Sequence, residues 1–320
     1  MGLLVKGQWQ DQWYDTEKSQ GEFKREQSQF RFQITPDSEA GFFAESGRYH
    51  LYVSLACPWA HRALIFRQLK GLTEHISVSV VSPDMLENGW EFDQQAGLVD
   101  DLYQNDYLYQ VYQKADPQYT GRVTVPILWD KHTQSIVNNE SAEIIRILNS
   151  AFNELTGNDQ DYYPLALRPE IEAINQRVYE RVNNGVYRCG FATTQQAYEQ
   201  AFTELFNELD HLNGLLGKQR YLVGDTLTEA DWRLFTTLVR FDAVYVGHFK
   251  CNHKRIADYP HLQGYLKELY QMQGIAGTVN MEHIKRHYYF SHTMINPTQV
   301  IPVGPQLDFD SPHLRDEQSS

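Results

Sequence analysis

The chain has 320 residues, 42% of them hydrophobic and 22% charged, which predicts a globular protein of two domains and excludes a disordered or fibrous chain. Its 41 acidic residues outnumber 28 basic ones, and the net charge of −13 without a basic stripe argues against nucleic acid as a partner. No segment reaches the roughly 18 apolar residues of a membrane span, and three widely spaced cysteines do not form a secreted disulfide framework. We therefore expect a cytoplasmic protein without a membrane segment.

The first half of the chain predicts an extension followed by a β-α-β unit. Residues 1–47 contain several aromatic side chains but no sustained period, which indicates an irregular extension whose rings pack onto a neighbouring domain. "YHLYVS" at 49–54 and "ISVSVV" at 76–81 alternate like strands. The intervening "CPWAHRALIFRQLKGL" has helical spacing that ends at Gly71.

The next segments extend this unit. Residues 82–121 predict an insertion with a tyrosine-rich helical portion, "DLYQNDYLYQVYQKA". "RVTVPILWDKHTQSIVNNESAEIIRIL" then predicts strand, turn, strand and helix, with the turn near 130–133 and the helix starting around Ser141. The order β-α-β-α-β-β-α is the thioredoxin-like arrangement, so we predict an α/β thioredoxin-like N-terminal domain.

The second half predicts an all-α domain, which starts after the linker "TGNDQDYYPLALRP" and has helical periodicity from Glu170 to about His287. Within it, Thr228 and Asp231 match a helix capping arrangement, whose role is folding. From Tyr288 onward the chain is Pro-rich and aperiodic, which indicates a tail on the surface. The predicted boundaries are an extension at 1–47, the thioredoxin-like domain at 48–155, a linker at 156–168, the helical domain at 169–287 and a tail at 288–320.

Cys57 is the candidate nucleophile. It precedes a helix that starts near Pro58, a residue suited to the first turn because its missing N–H costs nothing there. The N–H groups of the helix start favour an anion, so we expect the thiol pKa to fall below the ~8.5 of an ordinary cysteine. A buried structural thiol is the alternative interpretation, and we assign it to Cys189 and Cys251.

The chemistry of a single thiol indicates the co-substrate. Because position 60 is Ala, a sulfur attached to Cys57 cannot be expelled by a resolving thiol, as a C-x-x-C motif would allow. An external thiol must release it. Glutathione is the abundant small thiol of the cytoplasm, so the site predicts a glutathione-binding groove and a Cys57–glutathione mixed disulfide.

Further residues are candidates for that groove. In a thioredoxin-like domain the bond Val125-Pro126 is commonly cis, and the adjacent backbone can pair with an extended peptide. Glu140 and Ser141, at a helix start, suit the ammonium and carboxylate of a γ-glutamyl end, although capping alone would explain Ser141. Arg122 can pair with a second carboxylate and Trp90 can cover the sulfur, but solvated or packing roles fit these two equally well.

Two histidine-containing clusters, "HFKCNH" and "HIKRHYYFSH", raise the question of a metal. The first has no convincing fourth ligand, and the second lacks the Glu of a zincin helix. We therefore expect no metal.

Several motifs together resemble one known family. "ACPWAHRALI", "GWEF", "RVTVPILWD", "NNESAEIIRIL", "VYRCGFA", "RFDAVYVGHFKCN" and "RHYYFSH" follow one another in order between about Trp9 and Pro302. They resemble the glutathionyl-hydroquinone reductases, the xi class within the glutathione transferase superfamily. The resemblance implies a glutathione transferase architecture, usually dimeric, and the reduction of glutathionyl-hydroquinones to hydroquinones with release of oxidised glutathione.

The resemblance also implies roles for individual residues, each assigned by its motif. Cys57 is the nucleophile. The implied glutathione contacts are Trp90, Arg122, Val123, Val125, Glu140 and Ser141. The resemblance places Tyr187, Tyr245 and Tyr288 on the hydroquinone side. Because the reaction needs proton transfer, we expect Tyr187 and Tyr288 to serve as acid and base and Tyr245 to bind a substrate hydroxyl. Without the family, three of the chain's 20 tyrosines could not be singled out, since a buried tyrosine that packs its ring and hydrogen-bonds its hydroxyl is the default.

Two alternatives stay open at this point. An omega-like glutathione thioltransferase or dehydroascorbate reductase also uses a monothiol cysteine, but the three tyrosines favour a flat phenolic substrate. A non-catalytic scaffold with a glutathione transferase fold is the second alternative, and the position of Cys57 at a helix start argues against it.

Overall fold

The computed structural model describes residues 2–35 and 41–316. Its strands are β1 (Leu3–Val5), β2 (Gln8–Gln10), β3 (Tyr49–Val53), β4 (Ser77–Val80), β5 (Met85–Leu86), β6 (Gly89–Trp90), β7 (Gly121–Arg122), β8 (Ile127–Asp130) and β9 (Ser135–Asn138). Its α-helices are α1 (Pro58–Leu69), α2 (Leu108–Ala115), α3 (Ser141–Ser150), α4 (Asn153–Thr156), α5 (Arg168–Val178), α6 (Gly185–Gly190), α7 (Gln195–Leu216), α8 (Glu229–Arg240), α9 (Pro260–Gln271) and α10 (Met281–Ser291). Turns of π-helix follow α5 at Tyr179–Asn183 and α8 at Phe241–Tyr245.

The chain forms two compact units, each assembled from separate segments. The sheet unit comprises Met1–Trp13, Glu26–Gln160 and Thr278–Ser291. The helical unit comprises Tyr14–Arg25, Asp161–Gly277 and His292–Ser320. An α/β unit and an all-α unit confirm the predicted fold class, with a mixed sheet in the first and helices in the second.

The sheet unit is built around four strands in the order β4-β3-β8-β9, with β3 and β4 parallel and the other pairs antiparallel. Every residue of β3 and β8 is buried, as expected for the central strands of a sheet. Helix α1 makes the crossover between β3 and β4, as the β-α-β pattern predicts, and it packs against α3. An ion pair of Arg48 with Asp130, 2.7 Å between Nε and Oδ1, joins the start of β3 to the end of β8.

The extension is more ordered than the sequence predicts. The interpretation of residues 1–47 as irregular is wrong for strands β1 and β2, which form a hairpin, and β1 also pairs with β7. The strands have three residues each, too few for a period to be visible in the sequence. The expected packing of the extension's rings is confirmed at Trp9, which stacks on Tyr109 with 5.0 Å between ring centroids.

The helical unit contains the predicted helix cap. The backbone N–H of Thr228 donates to Asp231 at 2.8 Å, and the two side chains form a capping box at the start of α8.

The predicted end of helical structure at His287 is wrong by one turn, because α10 continues to Ser291 and contains Tyr288. Among the described residues, no helix combines the length and apolar character needed to cross a membrane.

Candidate functional site

Cys57 is the N-cap residue of α1, and Pro58 occupies the first helical position, as the sequence predicts. The thiol is partly exposed, and its sulfur lies 3.7 Å from the carbonyl oxygen of Val125. All three cysteines of the chain are reduced thiols. Of these, Cys189 and Cys251 are buried, so Cys57 is the thiol that solvent can reach.

The first turns of α1 connect Cys57 to the rest of the sheet unit. Ala60, at the position of a resolving cysteine, is fully buried. His61 lies within hydrogen-bond distance of the Thr278 hydroxyl, 2.7 Å from Nε2 to Oγ1. The buried guanidinium of Arg62 donates to the Ser141 hydroxyl at 3.3 Å, which links α1 to the start of α3. These contacts fix the helix whose N-terminus carries the thiol.

Glu140 and Ser141 lie at the start of α3, where the sequence places them. Glu140 is the N-cap residue, and its carboxylate accepts a hydrogen bond from the Ala142 N–H at 3.1 Å. The Ser28 hydroxyl is 3.4 Å from the other carboxylate oxygen. The Ser141 hydroxyl is buried against Arg62. Capping is thus the role of Glu140, whereas the Ser141 hydroxyl accepts from Arg62, and the helix start also presents the N–H groups that suit a carboxylate.

Arg122 is held by the N-terminal segment. Its guanidinium pairs with Glu26 at 3.2 Å and donates to the carbonyl oxygens of Gln12 and Trp13. Only 9% of the side chain is exposed. Through these contacts, Arg122 anchors the N-terminal extension. The nearby Val123 and Val125 are buried, and the Val125–Pro126 peptide bond is cis, as expected.

Trp90 and Tyr288 are connected through His287. Trp90 lies in β6, and its ring stacks on His287 with 4.7 Å between centroids and 20° between planes. His287 Nδ1 donates to the carbonyl oxygen of Pro83 at 2.9 Å, which sets the orientation of the imidazole. Tyr288 follows on α10 and is fully buried. Within the described residues, the buried Trp90 indole nitrogen has no hydrogen-bond partner.

Tyr187 and Tyr245 lie together in the helical unit. Their ring centroids are 6.2 Å apart, and Phe249 packs against both, at 5.4 Å from each. The Arg25 guanidinium lies over the Tyr187 ring at 5.1 Å. A cation above a phenol ring is attracted to its π electrons.

A cavity of about 600 Å³ lies in the same unit, and two of its wall residues, Phe23 and Arg25, contact the Tyr187 ring. Its walls include Phe23, Arg25, Asn184 and Arg188, and Arg25 donates to the Asn184 side-chain oxygen at 3.2 Å. Arg188 forms an ion pair with Glu204 at 2.6 Å. The cavity therefore combines an apolar ring with guanidinium groups.

Several residues that shape these positions were missed by sequence reasoning. His287 and Arg62 act through contacts with residues far away in the chain, and no local pattern signals them. Arg25 belongs to the extension, where the sequence shows no periodicity. Phe249 is the last residue of "VYVGHF" and was visible in the sequence, but phenylalanine carries no chemistry that would single it out.

The histidine clusters that raised the metal question do not form a ligand set in the described part of the chain, where no group of three or more His, Cys, Asp or Glu residues converges on one point. His248 instead lies beside His292, with 3.1 Å between Nε2 and Nδ1, inside an aromatic cluster.

Two family models match the chain. The N-terminal domain of glutathione S-transferases matches residues 56–151, and the C-terminal domain matches residues 195–268. Glutathionyl-hydroquinone reductase YqjG from Escherichia coli (strain K12) is 57% identical, with 99% of each chain covered. Glutathionyl-hydroquinone reductase PcpF from Sphingobium chlorophenolicum is 59% identical, with 95% of this chain and 96% of PcpF covered.

Solved structures of glutathione transferases are also similar to this chain. The glutathione-bound structure of Escherichia coli YqjG has a TM-score of 0.90 and 54% identity, and the match covers 98% of this chain and 99% of YqjG. Glutathione S-transferase Xi from Phanerochaete chrysosporium has a TM-score of 0.88 and 51% identity, with 92% of this chain and 96% of the other covered.

Proposed function

Because the chain belongs to the glutathionyl-hydroquinone reductases, the xi class of glutathione transferases, we propose that it is an enzyme that reduces glutathionyl-hydroquinones to hydroquinones. The co-substrate is glutathione, and oxidised glutathione is released. The observation that supports the covalent route is the position of Cys57, a partly exposed thiol at the start of α1 without a second cysteine at position 60. Such a monothiol depends on an external thiol for its release.

In the first step, the Cys57 thiolate attacks the sulfur that joins glutathione to the ring. A sulfur–sulfur bond forms, the sulfur–carbon bond breaks, and the ring carbon keeps the electron pair and takes a proton. An aryl carbon is a poor leaving group, so the step requires the keto tautomer of the hydroquinone, from which the leaving group is a stabilised enolate. Proton transfer to and from carbon and oxygen is therefore part of the reaction.

Tyrosines are suited to that transfer because the pKa of a phenol side chain, about 10, is close to that of a phenolic substrate. We assign the acid and base roles to Tyr187 and Tyr288, and the contact with a substrate hydroxyl to Tyr245.

In the second step, the thiolate of another glutathione attacks the glutathione sulfur of the mixed disulfide. Oxidised glutathione leaves, and Cys57 is a thiolate again. We assign the glutathione contacts to Trp90, Val123, Val125, Glu140 and Ser141, together with Arg122. The start of α3 supports Glu140 and Ser141 as contacts for the γ-glutamyl end, since its N–H groups favour a carboxylate. The Cys57 sulfur lies 3.7 Å from the carbonyl oxygen of Val125. A peptide-like ligand that pairs with the Val125 backbone would therefore lie beside the thiol.

The test is a comparison of the wild-type protein with Cys57→Ser. With glutathionyl-menadiol as substrate and no second glutathione, intact mass spectrometry of the wild type should find one added glutathione, and peptide mapping should place it on Cys57. Cys57→Ser should take up none and lose the reductase activity, whereas Cys251→Ala should keep both. An unchanged rate in Cys57→Ser would eliminate the covalent route.

A second substrate distinguishes the proposed reductase activity from the omega-like activity. If the wild type reduces dehydroascorbate but not glutathionyl-menadiol, the omega-like activity replaces the proposed one. If it acts on neither, the scaffold interpretation holds.

The resemblance also supports a homodimer and a cytoplasmic location as further proposals. A dimer would elute at twice the 37.3 kDa mass of the chain in light-scattering chromatography. The three reduced thiols are compatible with a reducing compartment.

A further inference from the structure

A buried cation lies at the contact between α1, which carries Cys57, and the start of α3. Arg62 is in the second turn of α1, and it is only 2% exposed. Its guanidinium donates to the Ser141 hydroxyl at 3.3 Å and lies over the Trp59 ring, 4.6 Å from the ring centroid. These contacts hold a permanent positive charge next to the serine that begins α3.

Packing alone does not account for an arginine at this position. Transfer of a charged group out of water is unfavourable, and buried charged residues can often be replaced by apolar ones of similar volume without loss of stability. A methionine would fill nearly the same space between α1 and α3. The guanidinium of Arg62 therefore has a role that depends on its hydrogen-bonding groups.

The hydrogen bond between Arg62 and Ser141 has one possible direction. A guanidinium has N–H donors and no acceptor, whereas a hydroxyl has one proton to donate and two acceptor positions. Ser141 is therefore the acceptor in this contact, and its own proton points away from Arg62. Arginine stays protonated in proteins, so the direction does not reverse with pH. Arg62 thus keeps the Ser141 hydroxyl available as a donor to another group.

The neighbouring N–H groups of α3 show which donors a ligand can use. The Ala142 N–H donates to the Glu140 carboxylate at 3.1 Å, and the Glu143 N–H donates to the Glu140 carbonyl oxygen at 3.0 Å. In the part of the chain that the structure describes, the N–H and the hydroxyl proton of Ser141 have no acceptor. Two donors on one residue at a helix start suit the two oxygens of a carboxylate.

We propose that Arg62 is a positioning residue for glutathione. By occupying an acceptor position of the Ser141 hydroxyl, it orients this hydroxyl to donate, together with the Ser141 N–H, to the α-carboxylate of the γ-glutamyl end. The inference rests on the proposed glutathione contact of Ser141 and names the residue that makes this serine a donor. Helix α1 then carries the nucleophile at its N-cap and the residue that orients the γ-glutamyl contact.

The experiment compares two disulfides in their reaction with Cys57 of the full-length protein. In each reaction the Cys57 thiolate attacks one disulfide sulfur, a mixed disulfide forms and a small thiolate leaves. The first reagent is oxidised glutathione. The second is the disulfide of 4-aminobutyryl-cysteinylglycine, which lacks the α-carboxylate but keeps the ammonium, both amides and the glycine carboxylate. Intact mass spectrometry gives both rate constants, and their ratio measures recognition of the α-carboxylate without hydroquinone reduction.

The wild type should react about tenfold faster with oxidised glutathione, because hydrogen bonds to a carboxylate are stronger than those between neutral groups. Arg62→Met should lower this rate about tenfold and the rate with the analogue less than about twofold, so that the preference disappears. Ser141→Ala should also lose the preference, and adding Arg62→Met to it should not change the ratio further. Arg62→Lys, whose ammonium is again a donor without an acceptor, should recover part of the preference.

Arg67→Met is the matched control on the same helix. The Arg67 guanidinium donates to the carbonyl oxygens of Ile76 and Thr73, beyond the other end of α1, so the ratio of the two rates should stay at the wild-type value. Circular dichroism checks that each variant is folded, and Arg62→Leu replaces Arg62→Met where the latter does not fold.

Two results would overturn the role of Arg62 while the Ser141 contact stands. One is a preference that Arg62→Met retains and Ser141→Ala loses. The other is an equal loss of both rates in Arg62→Met, which would show that Arg62 only stabilises α1. A wild type without any preference would instead contradict the Ser141 contact itself, and the positioning role would fail with it.

Discussion

Tyr288 and Tyr289 are adjacent on α10, and the motif "RHYYFSH" alone does not separate them. The two differ in exposure, since Tyr288 is fully buried and Tyr289 is partly exposed. Tyr288 also follows His287, whose ring stacks on Trp90. We propose the proton-transfer role for Tyr288, as the family motif implies, and Tyr289 provides a matched control.

The first prediction is that Tyr288→Phe lowers the reductase rate about 100-fold, because general acid–base catalysis typically contributes on this order. Exchange of Cys57 with a small glutathione mixed disulfide requires no carbon protonation, so that rate should change by less than about threefold. Steady-state assays with both substrates measure the two rates. Tyr289→Phe should leave both close to wild type, and equal losses of both activities in Tyr288→Phe would contradict proton transfer.

His287 is predicted to act as a positioning residue for Trp90. In His287→Ala the indole loses a stacked ring, worth about 1 kcal/mol, and the Pro83 carbonyl loses one donor while it keeps the Ser291 hydroxyl. We expect KM for the glutathionyl substrate to rise about fivefold, with a smaller change in kcat. His287→Phe keeps a ring at this position and should recover most of the loss in KM. A kcat effect larger than the KM effect would indicate a different role.

At the scale of elements, the start of α8 depends on Asp231. Its carboxylate accepts hydrogen bonds from the N–H groups of Thr228 and Leu222 and from the Tyr265 hydroxyl. Burial nevertheless raises the pKa of Asp231 to about 6, above the roughly 3.9 of an unfolded chain. The folded protein therefore binds more protons than the unfolded one between about pH 4 and 6, and the free energy of unfolding from this group falls as pH rises through that window.

The resulting prediction compares the wild type with Asp231→Asn, which cannot titrate. The variant should be less stable at every pH, since it replaces an acceptor of the Thr228 N–H by an amide that cannot fill both acceptor positions. The difference in unfolding free energy between the two proteins should shrink as pH rises from about 4 to about 6 and then stay constant. Urea denaturation across this range measures it, and a difference that grows with pH would show that the carboxylate is favoured in the folded state.

Local patterns predicted most of the elements. β3, β4 and α1 follow from alternation and helical spacing, and the α8 cap follows from two residues three apart. The hairpin of β1 and β2 was not predictable in this way, because three-residue strands gain their stability from pairing with β7, more than 100 residues later. The last turn of α10 was missed because its Ser291 hydroxyl hydrogen-bonds to the Pro83 carbonyl and the Met85 N–H, far away in the sequence.

At the scale of the whole molecule, the proposed site residues also divide into those that a local pattern predicts and those that it does not. Cys57 could be predicted from its place between a strand and a helix, and the tyrosines only from the resemblance to a family. The surroundings of Trp90 could not be predicted, because they come from two distant segments. His287 lies on one side of the indole, and Trp9 holds the β5–β6 hairpin, through a hydrogen bond from its indole nitrogen to the Glu87 carbonyl oxygen at 3.0 Å.

That last contact gives the extension a testable role in glutathione binding. Gly89 has no space for a Cβ, which would lie 2.6 Å from the Trp9 ring, so Trp9 packs directly on the turn that precedes Trp90. Trp9→Ala should loosen the hairpin and raise KM for glutathione several-fold, and deletion of residues 1–13 should have at least this effect, because it also removes β1 and the carbonyl acceptors of Arg122. Trp9→Phe keeps a ring without the donor and should lie between Trp9→Ala and wild type. If KM is unchanged in both Trp9→Ala and the deletion while the melting temperature falls, the extension serves only stability, and Trp90 is held by α10 alone.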